Sequence, residues 1–164
     1  MNLTKLNNLQ KTVLVIAGSD PSGGAGIQAD LKTLTSFGVY GMTAITALTE
    51  QNTNGVFDIL EIPIDFVVKQ INCCLSDINA NAVKIGMLHS ADLISAVLEA
   101  LFNNNIVSNK KVNIVLDPVM VAKGGHKLLK ENAIDALKNF IKVAQPILTP
   151  NIPCLLYTSD AADE

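Results

Sequence analysis

The sequence contains no tryptophan, and only 4% of its 164 residues are aromatic. Charged residues are also scarce at 16%, and the net charge of -3 comes with no run of lysines or arginines. Because nucleic-acid phosphates require clustered positive charge, this composition argues against DNA or RNA as a partner. No apolar stretch approaches the length that crosses a bilayer, and the first residues lack the apolar centre of a signal peptide. These absences predict a cytoplasmic protein that binds neither membrane nor nucleic acid.

Cysteine is rare as well, with three residues in the chain. Cys73 and Cys74 are adjacent within a helical pattern, and their spacing suits neither a zinc site nor a disulfide framework. We expect both to be buried or half-buried thiols in a reducing compartment. Hydrophobic residues, by contrast, make up 49% of the chain, which is enough for the core of one domain or of part of one.

A glycine-rich segment, residues 18–26, separates two regular patterns. Before it, residues 13–17 form a short, mostly β-branched run that predicts a buried strand. After it, the spacing of Ile27, Leu31 and Leu34 predicts an amphipathic helix. A strand, a flexible loop and a helix N-terminus bring backbone N–H groups together at the positive end of a helix dipole. The segment therefore predicts a pocket for a polar or anionic small molecule, with a plain turn as the alternative.

Neither of two known ligand-binding loop types fits this segment fully. A Walker loop requires a lysine followed by serine or threonine after its last glycine, and neither is present. The dinucleotide-binding pattern fits residues 24–29 loosely, with Glu50 at a suitable distance downstream. However, its first glycine should directly follow the strand, and here intervening residues separate the two. A dinucleotide-dependent oxidoreductase is therefore a minor alternative.

Strand and helix patterns alternate along the rest of the chain. Predicted strands cover residues 42–48, 56–62, 82–86, 112–116 and 146–149, predicted helices cover residues 63–78, 91–102 and 131–141, and residues 51–55 read as a loop. This alternation predicts an α/β fold with a mostly parallel sheet flanked by helices on both faces. In such sheets ligands bind beyond the carboxyl ends of the strands. The residues that the sequence places there include Gly18, Glu50, Gln51, Gly86, Met87, Asp117 and Asn151.

Six segments between about residue 12 and residue 153 match one family in order. They are AGSDPSGGAGIQAD (17–30), GVYG (38–41), QNT (51–53), VKIGML (83–88), LDPVMVAK (116–123) and TPN (149–151). Together they resemble the hydroxymethylpyrimidine/phosphomethylpyrimidine kinases of thiamine biosynthesis. The resemblance implies a ribokinase-like fold, truncated here on its C-terminal side. It also implies that ATP and Mg²⁺ are used to phosphorylate 4-amino-5-hydroxymethyl-2-methylpyrimidine and then its monophosphate.

The resemblance assigns four residues to the substrate side of the site. Gln51 would read the aminopyrimidine, since a carboxamide can both donate and accept hydrogen bonds. Gly18 would let the backbone approach the ring, and Met87 would pack against the ring face. Asp30 would accept a hydrogen bond from the substrate or hold the loop. The alternatives are a solvated glutamine, a core methionine and a solvated carboxylate.

Three further residues lie on the nucleotide and phosphate side by the same resemblance: Asp117, Asn151 and Lys123. Asp117 is the candidate Mg²⁺ ligand, because Mg²⁺ favours one or two carboxylates together with phosphate oxygens. A capping role is the alternative for Asp117, and a solvated side chain is the alternative for Lys123. Lys84 reads as structural. No catalytic base is assigned, because the resemblance places the base and the anion hole in a part of the family that follows residue 153.

The last eleven residues, 154–164, do not resemble the family. Where the family has a glutamate that takes part in Mg²⁺ and phosphate binding, this chain has Cys154. The segment matches a translated sequencing adapter, because TGT CTC TTA TAC ACA TCT encodes Cys-Leu-Leu-Tyr-Thr-Ser. We therefore expect residues 1–153 to be the N-terminal part of a kinase domain, inactive alone, and residues 154–164 to be a non-native tail.

Two other functions remain open at this point besides the oxidoreductase. Related sequences of the same fold phosphorylate pyridoxine or pyridoxal, so a kinase for those substrates is the nearest alternative. A pyrimidine-binding module without catalytic activity is the other. Whether the protein is a monomer or a homodimer is not decided by the sequence.

Overall fold

The computed structural model describes residues 10–119 and 133–151. Strands and helices alternate within these residues. The strands are β1 (Thr12–Ser19), β2 (Tyr40–Asn52), β3 (Gly55–Glu61), β4 (Ala82–Ile85), β5 (Asn113–Leu116) and β6 (Ile147–Leu148). The helices are α1 (Gly26–Ser36), α2 (Ile64–Asp77), α3 (Ala91–Asn103) and α4 (Ile134–Ala144).

The described strands form one sheet in the order β3-β2-β1-β4-β5-β6. Every neighbouring pair is parallel except β2 and β3, which are antiparallel. The chain first extends the sheet to one side of β1, through β2 and β3, and then crosses to the other side with β4. The loops that follow β1 and β4 therefore diverge, and they leave a crevice at the carboxyl ends of these two strands.

Alternate residues of β1 face two separate apolar clusters. Leu14 and Ile16 belong to the larger cluster, which is covered by α2, α3 and α4. Val15 and Ala17 face the smaller one, which contains Ile27 of α1. Helices thus cover both faces of the sheet, and the predicted α/β fold with a mostly parallel sheet is confirmed. No helix within residues 10–119 and 133–151 is long and apolar enough to cross a membrane.

Some local predictions were wrong. Residues 51–55 are not a loop, because β2 continues through Asn52 and β3 begins at Gly55, so that the turn contains two residues. Cys73 is exposed, whereas Cys74 is half-buried, and burial raises the pKa of its thiol.

Candidate active site

A cavity of about 750 Å³ opens at the carboxyl ends of the strands. Its wall includes the glycine-rich loop after β1, the outer part of the β2–β3 hairpin, and the segments that follow β4, β5 and β6. All the predicted site residues that the structure describes line it: Gly18, Asp30, Gln51, Met87, Asp117 and Asn151. Lys123 lies outside the described residues.

Asp20, which is not among the predicted site residues, organises the glycine-rich loop. The residue is 3% exposed, and both of its carboxylate oxygens accept hydrogen bonds. Oδ1 accepts from the backbone N and the Oγ of Ser22 at 2.8 and 2.7 Å. Oδ2 accepts from the backbone N of Gly24 at 3.1 Å and of Ala25 at 2.8 Å. Burial raises the pKa of Asp20, but these hydrogen bonds outweigh it and leave the pKa below its ordinary value.

The predicted anion pocket of the loop is therefore occupied by the chain itself. The N–H groups of Ser22, Gly24 and Ala25 donate to Asp20 rather than facing an empty pocket. In this structure the three groups are not offered to a ligand, because Asp20 already accepts from them, and the polar pocket that the sequence predicts for the loop stays a prediction. The sequence did carry a signal, since an aspartate two residues before a serine and next to proline is typical of an Asx turn.

Two glycines of the loop are required by backbone geometry. Gly26 has φ +57°, and a Cβ at this position would lie 2.3 Å from the carbonyl oxygen of Gly18. Gly23 has φ +76°, and its carbonyl accepts a hydrogen bond from Lys32 Nζ at 2.8 Å. Gly24 differs, since a Cβ there would make only ordinary contacts, the nearest at 3.7 Å. The close approach of Gly26 to Gly18 is what lets α1 begin directly behind β1.

Gln51 reaches the cavity on the outer part of strand β2, residues 49–52, which together with the residues of β3 paired to it we call the hairpin arm. Beyond Leu48, which is the last β2 residue paired with β1, strand β2 pairs only with β3. The arm is fixed to the glycine loop by Thr49, whose Oγ1 donates to the Ser19 carbonyl at 2.9 Å and also lies 3.2 Å from Gln51 Oε1. Ser19 Oγ in turn accepts from Gln28 Nε2 at 2.7 Å. A hydrogen-bonded path thus joins helix α1 to the carboxamide of Gln51.

Gly18 and Met87 shape the floor of the cavity together. A Cβ on Gly18 would lie 2.7 Å from Met87 Cε, so the glycine makes room for the methionine side chain. Met87 is 7% exposed, and its backbone carbonyl accepts a hydrogen bond from Thr46 Oγ1 at 2.9 Å. Met87 is therefore largely a core residue that presents a small apolar surface to the cavity.

Charged groups gather on another wall. Lys84 Nζ lies 2.9 Å from Asp30 Oδ2, and both side chains are mostly buried. The ammonium also lies 3.1 Å from where a Cβ on Gly86 would be, so the glycine leaves it space. Burial raises the pKa of Asp117, the nearby Lys84 offsets part of this increase, and Asp30 adds to it. Lys84 is thus part of the cavity wall, which its interpretation as merely structural missed.

Two carboxylates, Asp30 and Asp117, share the single positive charge of Lys84, so this group has an excess of negative charge. Within the described residues no set of three or more acidic, histidine or cysteine side chains could hold a metal ion. The carboxylates of Asp30 and Asp117 are compatible with Mg²⁺, because Mg²⁺ binds through one or two carboxylates and completes its shell with phosphate oxygens and water.

Comparison with known proteins agrees with this geometry. A family model described as phosphomethylpyrimidine kinase matches residues 20–159. The chain belongs to this family. Among curated relatives, the hydroxymethylpyrimidine/phosphomethylpyrimidine kinase of Haemophilus influenzae is 48% identical over 143 residues, which is 87% of this chain and 51% of that protein. The Escherichia coli kinase of the same name is 46% identical over 140 residues, covering 85% of this chain and 51% of its own length.

Solved structures give the same result. The phosphomethylpyrimidine kinase of Clostridium difficile superposes with a TM-score of 0.81 at 44% identity, over 92% of this chain and 63% of that one. Pyridoxal kinase from Staphylococcus aureus in complex with pyridoxal superposes with a TM-score of 0.78 at 34% identity, over 93% and 54%. The family resemblance and the fold predicted from it are confirmed. The chain spans about half the length of the curated relatives it matches.

Proposed function

We propose that this chain is the N-terminal part of an ATP-dependent kinase of thiamine biosynthesis. The enzyme phosphorylates the hydroxymethyl group of 4-amino-5-hydroxymethyl-2-methylpyrimidine and then the resulting monophosphate. The observation that carries the proposal is one cavity that joins a carboxamide on one wall, Gln51, to a carboxylate group on another, Asp30 and Asp117, in a chain of this family. A cytoplasmic location stays a prediction.

The proposal includes the organisation of the chain. Residues 1–153 would be the native part and residues 154–164 a non-native tail. The family match continues to residue 159, so it does not by itself mark this boundary. The catalytic base and the anion hole are assigned to the half of the relatives that this chain does not span.

On the substrate side, the pyrimidine ring would lie between the hairpin arm and the floor of the cavity. Gln51 would pair with the exocyclic amine and a ring nitrogen, because a carboxamide carries both an acceptor and donors. Met87 would contact the ring face, and Gly18 would admit the ring close to the backbone. These roles come from the family resemblance, and the position of the three residues on the cavity wall supports them.

On the phosphate side, Asp117 and Asn151 line the cavity together. The pyridoxal kinase of Staphylococcus aureus was solved with AMP-PCP and with ADP, which supports ATP as the phosphate donor here. Mg²⁺, when bound, would neutralise charge on the phosphate oxygens, and Asp117 would hold it or its waters. Lys84, restrained by Asp30, would keep the carboxylate of Asp117 directed into the cavity.

Pyridoxal phosphorylation is a second candidate. One solved relative is described as the last common ancestor of HMPPK and PLK/HMPPK vitamin kinases, with 43% identity and a TM-score of 0.76. Identity to the pyridoxal kinases is lower, at 34% for the pyridoxal complex against 44% for the phosphomethylpyrimidine kinase of Clostridium difficile. This difference favours the pyrimidine as the main substrate.

The test uses the completed enzyme, which we define as residues 1–153 followed by the genomic continuation or by the corresponding half of the Escherichia coli relative. The enzyme is incubated with ATP, Mg²⁺ and either the pyrimidine, its monophosphate, pyridoxal or pyridoxine, and phosphorylated products are quantified. We expect the highest kcat/KM with the pyrimidine. Higher kcat/KM with pyridoxal would favour the second candidate. Pyrimidine binding without turnover would indicate a binding module, and binding of NAD(P) would revive the oxidoreductase.

A further inference from the structure

Asp20 lines the cavity, but neither the substrate side nor the phosphate side of the proposed site uses it. An ionised carboxylate is costly to bury unless its lone pairs are matched by donors. Here three backbone N–H groups and one hydroxyl match them, at 2.7 to 3.1 Å. The arrangement is therefore a complete anion site whose anion belongs to the chain.

The donors form a group that we call the cradle: the N–H groups of Ser22, Gly24 and Ala25 and the hydroxyl of Ser22. The cradle lies just before helix α1, since Ala25 is the N-cap residue. In phosphate-binding loops, such converging N–H groups at a helix N-terminus receive the oxygen atoms of the ligand. In this chain they receive the oxygen atoms of Asp20.

The rest of the loop is also tied within the chain. The backbone N of Asp20 donates to Gln28 Oε1 at 2.9 Å, and the backbone N of Gly23 donates to the Asp20 carbonyl at 3.0 Å. Lys32 covers the outer side through its bond to the Gly23 carbonyl. These contacts fix Asp20 in the cradle from both sides, so a ligand phosphate would have to displace a restrained side chain.

We propose that Asp20 is a built-in anion that fills the cradle and so directs the glycine loop toward an uncharged part of the substrate. Asp20 is accordingly a positioning residue, acting through the shape of the loop. The phosphate groups then enter from the wall that carries Asp117. The identity of the substrate rests on the proposed function, whereas the occupancy of the cradle does not.

Chemical rescue tests the cradle without any enzyme activity. In the completed enzyme, Asp20→Ala should lower the melting temperature and leave the cradle open, and sodium formate should restore part of the loss where sodium chloride of equal ionic strength does not. The wild type and Asp58→Ala, which removes an exposed aspartate of β3, should respond equally to the two salts. An Asp20→Ala variant that responds equally to formate and chloride would overturn the proposal.

A second measurement covers the case in which Asp20→Ala does not fold. Wild-type protein labelled with ¹⁵N is titrated with inorganic phosphate, and the amide resonances of Ser22, Gly24 and Ala25 are followed. We expect them to stay in place, because Asp20 already occupies their donors. Shifts centred on these amides would show that phosphate enters the cradle and would refute the built-in anion.

Kinetics test the positioning role. Asp20→Asn keeps the volume of the side chain but replaces one carboxylate oxygen with an NH₂ group. This group cannot accept a hydrogen bond from the backbone N–H groups of the cradle. The loop then loses a hydrogen bond to a charged group, and with it part of the shape that faces the ring. The KM for the pyrimidine should therefore rise about tenfold, while the KM for ATP changes less than about twofold. Equal increases in both KM values would mean that Asp20 only stabilises the fold. If no substrate is turned over, the proposed function fails, and the formate and phosphate titrations still decide on the cradle.

Discussion

Asp20 and Asp117 are carboxylates on different walls of one cavity, and their surroundings shift their pKa values in opposite directions. At Asp20 burial raises the pKa, but hydrogen bonds from Ser22, Ala25 and Gly24 reverse the effect and lower it. At Asp117 burial raises the pKa, and the charge of Lys84 offsets the increase only in part. One carboxylate is stabilised as an anion by the chain, and the other is not.

The difference separates a structural role from a binding role. The lone pairs of Asp20 are already engaged by four donors, so a ligand has little to gain there. Asp117 lies in an environment of excess negative charge, where an arriving cation would lower its free energy. Under the proposed function, the wall that carries Asp117 would receive a metal-bound phosphate, and the glycine loop would face a neutral ring.

The largest effect should come from removing the carboxylate of Asp117, whose pKa is raised. In the completed enzyme, Asp117→Asn should reduce kcat by about 10²- to 10³-fold, the range for losing one group that stabilises transition-state charge. The Kd of the pyrimidine, measured by calorimetry without nucleotide, should change little. Asp92→Asn, in the first turn of α3, serves as the control. Unchanged turnover would mean that Asp117 only caps the end of β5.

The next largest effect concerns the hairpin arm. Gln51→Ala should raise the KM for the pyrimidine while the KM for ATP stays near its wild-type value, because only the ring loses partners. Losing hydrogen bonds to a buried ring costs about 1–3 kcal/mol, or roughly five- to 150-fold in KM. Gln10→Ala is a matched control, since Gln10 bonds to the Gly38 carbonyl away from the cavity. Wild-type pyrimidine kinetics would remove Gln51 from the site.

The glycine loop offers a comparison within itself. Gly26→Ala should destabilise the protein by about 2 kcal/mol or more, because it forces a side chain into positive φ and against the Gly18 carbonyl. Gly24→Ala should cost less than about 1 kcal/mol, since its Cβ meets only ordinary contacts. Urea unfolding of both variants measures the difference. Equal losses would indicate that the loop does not hold the conformation described.

The smallest effect is the pH dependence contributed by Asp20. Its pKa in the folded protein lies below the ordinary value of 3.8, so its contribution to stability is complete above that pH. The contribution is lost as the pH falls through the lowered pKa. The stability difference between wild type and Asp20→Asn should therefore shrink below about pH 4, by less than about 1.4 kcal/mol per pH unit. A difference that grows on acidification would contradict the direction of the shift.

The sequence predicted the fold well because its signals were local. Hydrophobic periodicity located the elements, and Gly38 follows the end of α1, where it takes φ +67° and donates to the Thr35 carbonyl. The positions of Gly18, Asp117 and Asn151 followed from the rule that strand ends share one edge of the sheet.

The features of the site that the sequence did not predict depend on contacts between residues far apart in the chain. The arm that carries Gln51 was read as a loop because Gln-Asn-Thr-Asn-Gly is typical of one, whereas pairing with β3 extends the strand. The position of Lys84 in the cavity wall required its pairing with Asp30, 54 residues away in the sequence. The role of Asp20 was visible as a turn signal, but that four donors would converge on it was not.

The strand order also has a consequence for how the site is assembled during folding. The glycine loop closes over a few residues, from Asp20 to Ala25, whereas the floor of the cavity needs β1 to pair with β4, as in Val13 with Ala82. Contacts between residues far apart in sequence carry a larger loop-closure entropy and form more slowly. We therefore expect the loop to take its shape early, around its own aspartate, and the cavity to close around it only when the two halves of the sheet join.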